Sequence, residues 1–181
     1  MKPYPRDKIH LIVCHECKPL HHTIVEQIYT LLEDPQTRKS HYFNGRYENI
    51  YISETRLPTI SPILNTIREE SARLLNGSID ELKIGFWFNL MQKDDVTLAH
   101  NHDDDDELIS GTYYLQVPKD SGRLSIKIDA QTSKIIEPEE ATLACFHPGL
   151  EHEVSQHLSP IPRISLGFNI GRITPDDAVS N

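Results

Sequence analysis

Two segments in the first half of the chain carry apolar residues at helical spacing. In residues 23–33 and 61–75 these side chains recur three or four positions apart, which predicts two amphipathic helices. A proline or a glycine follows each segment within a few residues and is a typical helix terminator. Ahead of them, residues 8–13 (KIHLIV) are rich in β-branched side chains and predict a strand, and a shorter strand is expected at residues 50–53.

After Gly77 the pattern changes to short apolar or alternating runs separated by turn residues, and it continues to Arg172. These runs predict strands without helical crossovers, as in an antiparallel jelly roll. The sequence therefore predicts a mainly β fold with flanking helices, in which the N-terminal helices pack on one face of the β core. The predicted strands are Leu82–Met91, Val96–His102, Leu108–Val117, Gly122–Ile128, Ser133–Ile136, Ala141–Phe146, His152–Ser155 and Arg163–Ile170.

The length of 181 residues fits one domain that can bury a substantial core. No internal repeat or linker divides the chain. We therefore expect a single domain over residues 1–181, with residues 1–79 as a helical N-terminal support region and residues 80–172 as the jelly-roll core.

The composition narrows the classes of partner. With 27 acidic and 18 basic residues the formal net charge is -9, which argues against direct binding of nucleic acid. No stretch approaches the roughly 20 apolar residues of a membrane span, and the first residues lack the apolar core of a secretion signal. Three cysteines fit a reducing compartment better than a disulfide framework. We expect a soluble, cytoplasmic protein with no membrane partner.

Three histidines stand out as candidate metal ligands. His100 and His102 end a predicted strand, where alternation puts both side chains on one face, close enough to share an ion. A lone pair at this spacing is more often two surface or core histidines. The acidic run from Asp103 to Glu107 follows and reads as a solvated loop, although Asp104 could turn inward and supply a carboxylate. His152, at the start of a later strand, is the third candidate.

Arg163 begins a strand whose two faces differ sharply. Arg163, Ser165 and Gly167 share one face, while the alternate residues on the other face are apolar. A buried arginine is costly without an anionic partner. That partner is either an internal carboxylate or the carboxylate of a ligand, which a guanidinium can bind through two parallel hydrogen bonds.

Five motifs occur in one order over about Gly85 to Arg172, roughly half of the chain. In this order the pattern resembles the iron(II) and 2-oxoglutarate dependent oxygenases, and is similar to a little-characterised, prolyl-hydroxylase-like branch of them. The motifs are Trp87-Phe88-Asn89, His100-Asn101-His102, Ser110 to Leu115 (SGTYYL), Phe146 to His152, and Arg163 to Asn169 (RISLGFN).

This resemblance implies a double-stranded β-helix core, iron(II) as cofactor and 2-oxoglutarate as co-substrate. It implies hydroxylation of an unknown small-molecule or peptide substrate, with release of succinate and carbon dioxide, and no catalytic residue beyond the metal centre. The wider superfamily carries a carboxylate where His102 aligns, so Asp104 remains an alternative third ligand. By this resemblance His100, His102 and His152 bind the metal, Arg163 anchors the co-substrate, and Ser165, Tyr114 (less favoured, Tyr113) and Asn89 support it.

Other readings remain beside this one. A zinc site at Cys14, Cys17, His21 and His22 is disfavoured, because four ligands within nine residues leave almost no structure between them. A cupin-type metal-dependent enzyme or binding module that does not use 2-oxoglutarate is the main rival function. A non-enzymatic binding protein on a degenerate oxygenase scaffold is a third possibility.

The entrance to the site is expected to be shaped by the helices and by residues 44–59, with Arg46, Tyr47 and Tyr51. The sequence specifies neither the substrate nor the oligomeric state.

Overall fold

The computed structural model describes residues 2–102 and 106–174. In these ranges the chain forms eleven strands and two helices, with 3-10 turns at His15–Leu20, Pro58–Ile60 and Ile79–Glu81. The elements are β1 (Ile9–Val13), α1 (His21–Leu32), β2 (Arg38–Phe43), β3 (Arg46–Tyr51), α2 (Ser61–Leu75), β4 (Leu82–Met91), β5 (Thr97–His100), β6 (Glu107–Gln116), β7 (Leu124–Lys127), β8 (Ser133–Ile136), β9 (Thr142–Phe146), β10 (His152–Val154) and β11 (Arg163–Arg172).

Two antiparallel sheets make up the β core. The major sheet has seven strands in the order β1-β9-β6-β11-β4-β3-β2, and the minor sheet has four in the order β5-β10-β7-β8. Sequence neighbours such as β5 and β6 lie in different sheets, so the chain passes from one sheet to the other as it does in a double-stranded β-helix. The predicted fold class is confirmed: a mainly β, jelly-roll core with flanking N-terminal helices.

The helices cover the outer face of the major sheet. Ile24 and Ile28 of α1 and Ile63 and Ile67 of α2 are fully buried in the main apolar cluster. That cluster also contains the outward-facing residues of β11, including Leu166. Asn76 ends α2 in the left-handed conformation (φ 52°), where its backbone N–H closes the last helical turn.

Strand alternation gives β11 two different faces. Ile164, Leu166, Phe168 and Ile170 are fully buried on the helix side. Arg163, Ser165, Gly167 and Asn169 face the space between the two sheets. Alternation therefore makes the middle strand of the major sheet part of the core on one side and part of a cavity wall on the other.

The N-terminal region contributes strands as well as helices. Residues 1–79 were expected to be a helical support, but β1, β2 and β3 all join the major sheet. The strand expected at residues 50–53 overlaps only the last two residues of β3, which forms a hairpin with β2. Asn44 and Gly45 at its turn both have positive φ, the conformation that an Asn-Gly hairpin turn requires.

Within the described ranges, the two helices are too short or too polar to cross a membrane.

Candidate metal centre

A cavity of about 470 Å³ opens between the two sheets. Its walls come from β4, β6 and β11 of the major sheet, from β5, β7 and β10 of the minor sheet, and from the β2–β3 hairpin at the mouth. The candidate residues His100, His102, His152 and Arg163 all line it. Strands that are far apart in sequence thus bring the predicted site residues into one space.

The three histidines converge in this cavity. His100 ends β5 and lies opposite His152, the first residue of β10, in the strand register. His102 follows β5, and its backbone N–H donates to the Pro148 carbonyl oxygen at 3.0 Å. One ligand atom from each ring lies within 4.8 Å of the other two, and no other such group of three metal-ligand side chains occurs in residues 2–102 and 106–174.

Backbone carbonyls orient two of the rings. Nδ1 of His100 lies 2.8 Å from the Leu98 carbonyl oxygen, and Nδ1 of His152 lies 3.0 Å from that of Leu150. Since a carbonyl can only accept, each Nδ1 must carry the proton, which leaves the Nε2 lone pair available to an ion. Two of the three rings are therefore held in the tautomer that a metal ligand needs.

Burial keeps His152 neutral. Removal from water, and to a smaller extent the neighbouring rings of His100 and His102, lowers the pKa of His152 to about 3. At neutral pH its imidazole is unprotonated, which is the form that binds a metal ion.

Trp87 packs against His102, with 5.4 Å between the ring centroids. The indole lies over Gly167 of the neighbouring strand, where a Cβ would come within 2.6–2.8 Å of three ring atoms. Gly167 therefore allows Trp87 to lie flat on β11 and support the imidazole.

We expect Gly167→Ala to push the indole away and to loosen His102. The overpacked variant should lose about 1–2 kcal/mol of unfolding free energy and several-fold in Co(II) affinity, measured by thermal denaturation and titration. Gly85→Ala is the matched control, because a Cβ at Gly85 meets no atom within 4 Å. Equal effects of the two substitutions would contradict a role for the Trp87 contact.

Arg163 lies at the inner end of the cavity with 2% of its surface exposed. Its Nη1 contacts the Met91 sulfur at 2.9 Å, and its guanidinium carbon lies 5.2 Å from the centroid of the Tyr114 ring. Its Nε is buried without a hydrogen-bond partner, and no carboxylate in the described ranges pairs with it. This excludes, for the described residues, the internal salt bridge that the sequence left open. Burial lowers the pKa of Arg163, as expected for a cation without a counter-ion.

Three polar side chains form one row beside Arg163. Ser165 lies opposite Asn89 of β4 on one side and opposite Tyr114 of β6 on the other. The Asn89 Oδ1 and the Tyr114 hydroxyl are buried without a well-formed hydrogen bond among the described residues, and the nearest charge to the Tyr114 hydroxyl is the Arg163 guanidinium. Such groups each cost about 1–3 kcal/mol unless a ligand satisfies them. Burial raises the pKa of Tyr114, so its hydroxyl stays protonated and can donate.

Strand alternation places the two candidate tyrosines on opposite faces of β6. Tyr113 faces the helices, where its hydroxyl lies 2.8 Å from Nε2 of His21. Tyr114 faces the guanidinium of Arg163. Of the two, Tyr114 is therefore the one on the cavity side of β6.

Of the three residues predicted to shape the entrance of the cavity, only Tyr51 lies there. Tyr51 lines the cavity as expected, together with His41 and Asn49 of the same hairpin. Arg46 is instead a structural link: it pairs with Glu48 at 3.1 Å and with Asp95 at 3.3 Å, tying the hairpin to the turn between β4 and β5. Tyr47 is 45% exposed and packs on Tyr42 outside the cavity.

The cysteine-histidine segment does not form a metal site in the described structure. Cys14 and Cys17 are both free and buried, and the thiol of Cys17 lies 3.6 Å from the Thr66 hydroxyl. His21 is bonded to Tyr113, and His22 is exposed beside Glu26. Asp104, the alternative third ligand, lies outside the described residues.

No protein-family model matches this chain. No curated protein matches it in sequence either. Its fold, however, is that of the 2-oxoglutarate and iron(II) dependent oxygenases.

Three solved structures illustrate this similarity. A prolyl-4-hydroxylase from Pseudomonas putida superposes with a TM-score of 0.73 at 16% identity, covering 91% of this chain and 92% of that one. The non-heme alpha ketoglutarate dependent carbocyclase SnoK of nogalamycin biosynthesis gives 0.74 at 12% identity, covering 93% and 81%. A prolyl hydroxylase from Trichoplax adhaerens, in complex with a hypoxia inducible factor peptide, gives 0.69 at 14% identity, covering 97% and 88%. At these identities the likeness establishes a common fold.

Proposed function

We propose that this protein is a non-haem iron(II) and 2-oxoglutarate dependent dioxygenase that hydroxylates its substrate and releases succinate and carbon dioxide. One observation carries the proposal. A single cavity holds three converging histidines and a buried arginine with no anionic partner in the described structure. A metal ion satisfies the first group and the far carboxylate of a dicarboxylate satisfies the second.

The chain's own residues would bind and orient both groups. His100 and His152 would hold the metal through the Nε2 atoms that their contacts with backbone carbonyls leave available, and His102 would supply a third ring nitrogen. Arg163 would bind the far carboxylate of 2-oxoglutarate, with hydrogen bonds donated by the Tyr114 and Ser165 hydroxyls and by Nδ2 of Asn89. Iron(II) and 2-oxoglutarate, when bound, supply the oxidising chemistry, and the protein supplies geometry and a cavity with little water.

A cupin-type protein that does not use 2-oxoglutarate fits this cavity less well. A cupin-type metal site would account for the three histidines. It would leave the charge of Arg163 buried and without a partner. The same argument opposes a degenerate, non-enzymatic scaffold, since nothing would then keep a costly buried guanidinium beside an intact histidine group. The substrate is a small molecule or a peptide that reaches the cavity past the β2–β3 hairpin.

Anaerobic binding tests the proposal directly. Fe(II) and 2-oxoglutarate together should give a visible charge-transfer band that neither gives alone, and admission of oxygen should then yield succinate. Apoprotein reconstituted with Zn(II), which has no redox chemistry, serves as the control and should form no succinate. Absence of both the band and succinate with folded protein would contradict the proposal.

The identity of the third ligand can be tested separately. We expect His102→Ala to lower Co(II) affinity by about 100-fold or more, since even residues that only orient ligands contribute 10–100-fold. Asp104→Asn should leave the affinity within about 3-fold, because in this assignment the Asp104 carboxylate is not a ligand of the metal. Titration of the two variants decides the question: the opposite ranking would assign the ligand to Asp104.

A further inference from the structure

Two of the three converging histidines are held by one short turn. Residues 147–150 join β9 to β10 and end two residues before His152. The Pro148 carbonyl oxygen accepts from the backbone N–H of His102 at 3.0 Å. The Leu150 carbonyl oxygen accepts from Nδ1 of His152, also at 3.0 Å. The position of the 147–150 turn therefore fixes His102 through its backbone and His152 through its ring.

Gly149, within this turn, is held at both of its backbone polar groups. Its N–H donates to Nδ1 of the His147 ring at 3.0 Å. Its carbonyl oxygen accepts from Nη2 of Arg6 at 3.1 Å. Gly149 is buried, and a buried backbone group without a partner costs free energy comparable to a lost hydrogen bond. His147 and Arg6 therefore each satisfy one polar group of the turn.

His147 acts on the turn and is not one of the converging histidines. Because the Gly149 N–H can only donate, Nδ1 of His147 accepts and carries no proton. His100 and His152 have the opposite tautomer, in which Nδ1 donates to a backbone carbonyl. His147 also lies outside the group of three candidate metal ligands. Its ring therefore serves as a hydrogen-bond acceptor for the turn.

Arg6 reaches the turn from an N-terminal segment that is itself anchored. The backbone N–H of Lys2 donates to the Leu75 carbonyl oxygen, at the end of α2, at 2.8 Å. Tyr4 is buried, and its hydroxyl donates to the Cys145 carbonyl oxygen in β9 at 3.0 Å. These contacts hold the segment ahead of β1 beside the end of β9, where Arg6 meets the turn.

We propose that His147 and Arg6 are positioning residues of the metal centre, which hold Gly149 from both sides. Loss of either side chain loosens the 147–150 turn, and with it the orientation of His102 and His152. Groups that orient metal ligands typically contribute about 10–100-fold to metal affinity. The inference rests on the proposed function only for the presence of a metal ion at the histidine group.

The first test replaces His147 in the full chain. His147→Leu removes the acceptor, whereas His147→Asn restores it, since an asparagine side chain can bond to the backbone two residues on. In a titration with Co(II), His147→Leu should bind roughly tenfold more weakly than the parent and His147→Asn within about 3-fold of it. The visible spectrum at saturating Co(II) should change only in His147→Leu, because the ligand rings reorient. A residue that merely stabilises the fold would leave the spectrum of the bound ion unchanged.

The second test removes the contact on the other side of Gly149. Arg6 is exposed, so Arg6→Met keeps the fold even where His147→Leu does not. Its Co(II) affinity should fall about 3–10-fold, and the double variant should lose less than the product of the single losses, because both residues act through one turn. Arg123→Met, which breaks an exposed ion pair with Glu137, is the control and should leave the affinity unchanged. Single losses that multiply would contradict a shared action on the turn.

A third measurement needs no metal. In the metal-free protein, the amide hydrogen of His102 should exchange about tenfold faster in His147→Leu than in the parent, because its acceptor Pro148 lies in the loosened turn. His147→Asn should restore slow exchange. Parent-like exchange in His147→Leu, or equal effects of leucine and asparagine, would overturn the inference.

Failure of this inference and failure of the proposed function give different results. A parent protein that binds no Co(II) but shows the expected exchange pattern would contradict the metal centre and leave the positioning of His102 by the turn standing. A parent that binds Co(II), with variants at residues 6 and 147 indistinguishable from it, would do the reverse.

Discussion

Arg163→Met should abolish binding of 2-oxoglutarate while leaving the free protein at least as stable as its parent. The guanidinium is buried with an unpartnered Nε and no carboxylate beside it in the described structure. Methionine is of similar length, unbranched and apolar, and it can keep the contact with Met91. We expect the unfolding free energy of the metal-free variant to rise by about 1 kcal/mol, since replacing buried charge by apolar side chains is often neutral or stabilising.

The same substitution should change the affinity for 2-oxoglutarate much more than it changes the stability. Truncating one partner of a buried, hydrogen-bonded charge pair costs about 2–5 kcal/mol, so affinity for 2-oxoglutarate should fall on the order of 100-fold or more. Chemical denaturation and calorimetric titration measure the two effects. Arg172→Met, at the exposed end of the same strand, is the control and should change neither. A variant that is destabilised by more than 2 kcal/mol would identify Arg163 as a structural residue instead.

Arg163 could be identified from the sequence as a candidate ligand-binding residue. Alternation along residues 163–170 separates polar from apolar positions, and β11 has these two faces. An arginine on the inner face of a buried strand breaks the local pattern. Such a break is the kind of signal that marks a ligand site rather than a packing position.

The row of Asn89, Ser165 and Tyr114 shows what the sequence could not specify. Each residue was a candidate, but their alignment depends on the register of β4 and β6 against β11. Register is set by long-range pairing and packing, and a slip by one residue would turn Tyr114 toward the helices. The sequence therefore predicts the members of the row and not their arrangement.

Most of the β2–β3 hairpin was not predicted, for a different reason. Its residues are largely polar on both faces, because one face lines a cavity mouth and the strands lie at the sheet edge. Hydrophobic periodicity is then too weak to predict strands. The Asn44-Gly45 pair was the available signal, since it favours a two-residue hairpin turn.

The contact by which Trp87 supports His102 could not be predicted from the sequence either. In the sequence Trp87 is only the first residue of the Trp87-Phe88-Asn89 motif. Its role depends on Gly167 lying opposite in the register and leaving room for the indole. The small residue and the large one are 80 positions apart, so only the folded sheet connects them.

His152→Leu is expected to remove metal binding while preserving the fold. His152 is 8% exposed and packs against the Phe146 ring at 4.8 Å, so leucine replaces it in an environment that is already partly apolar. Since burial holds its pKa near 3, the substitution removes a neutral ring and no buried ion pair. The unfolding free energy of the metal-free protein should fall by about 1–3 kcal/mol, because leucine fills a similar volume but leaves the buried Leu150 carbonyl without its donor.

The metal-bound state should respond quite differently to the loss of His152. His100 and His102 alone would leave an ion with two protein ligands, so Co(II) affinity should fall by at least about 100-fold, beyond the cost of disturbing a residue that only orients a ligand. The thermal stabilisation that saturating Co(II) gives the parent should disappear with it, because an ion stabilises the native state only in proportion to its affinity. His22→Leu on the exposed face of α1 is the control, since His22 lies outside the histidine group and should leave both quantities unchanged. Full Co(II) affinity in His152→Leu would place the metal elsewhere and would remove the basis for the three-histidine assignment.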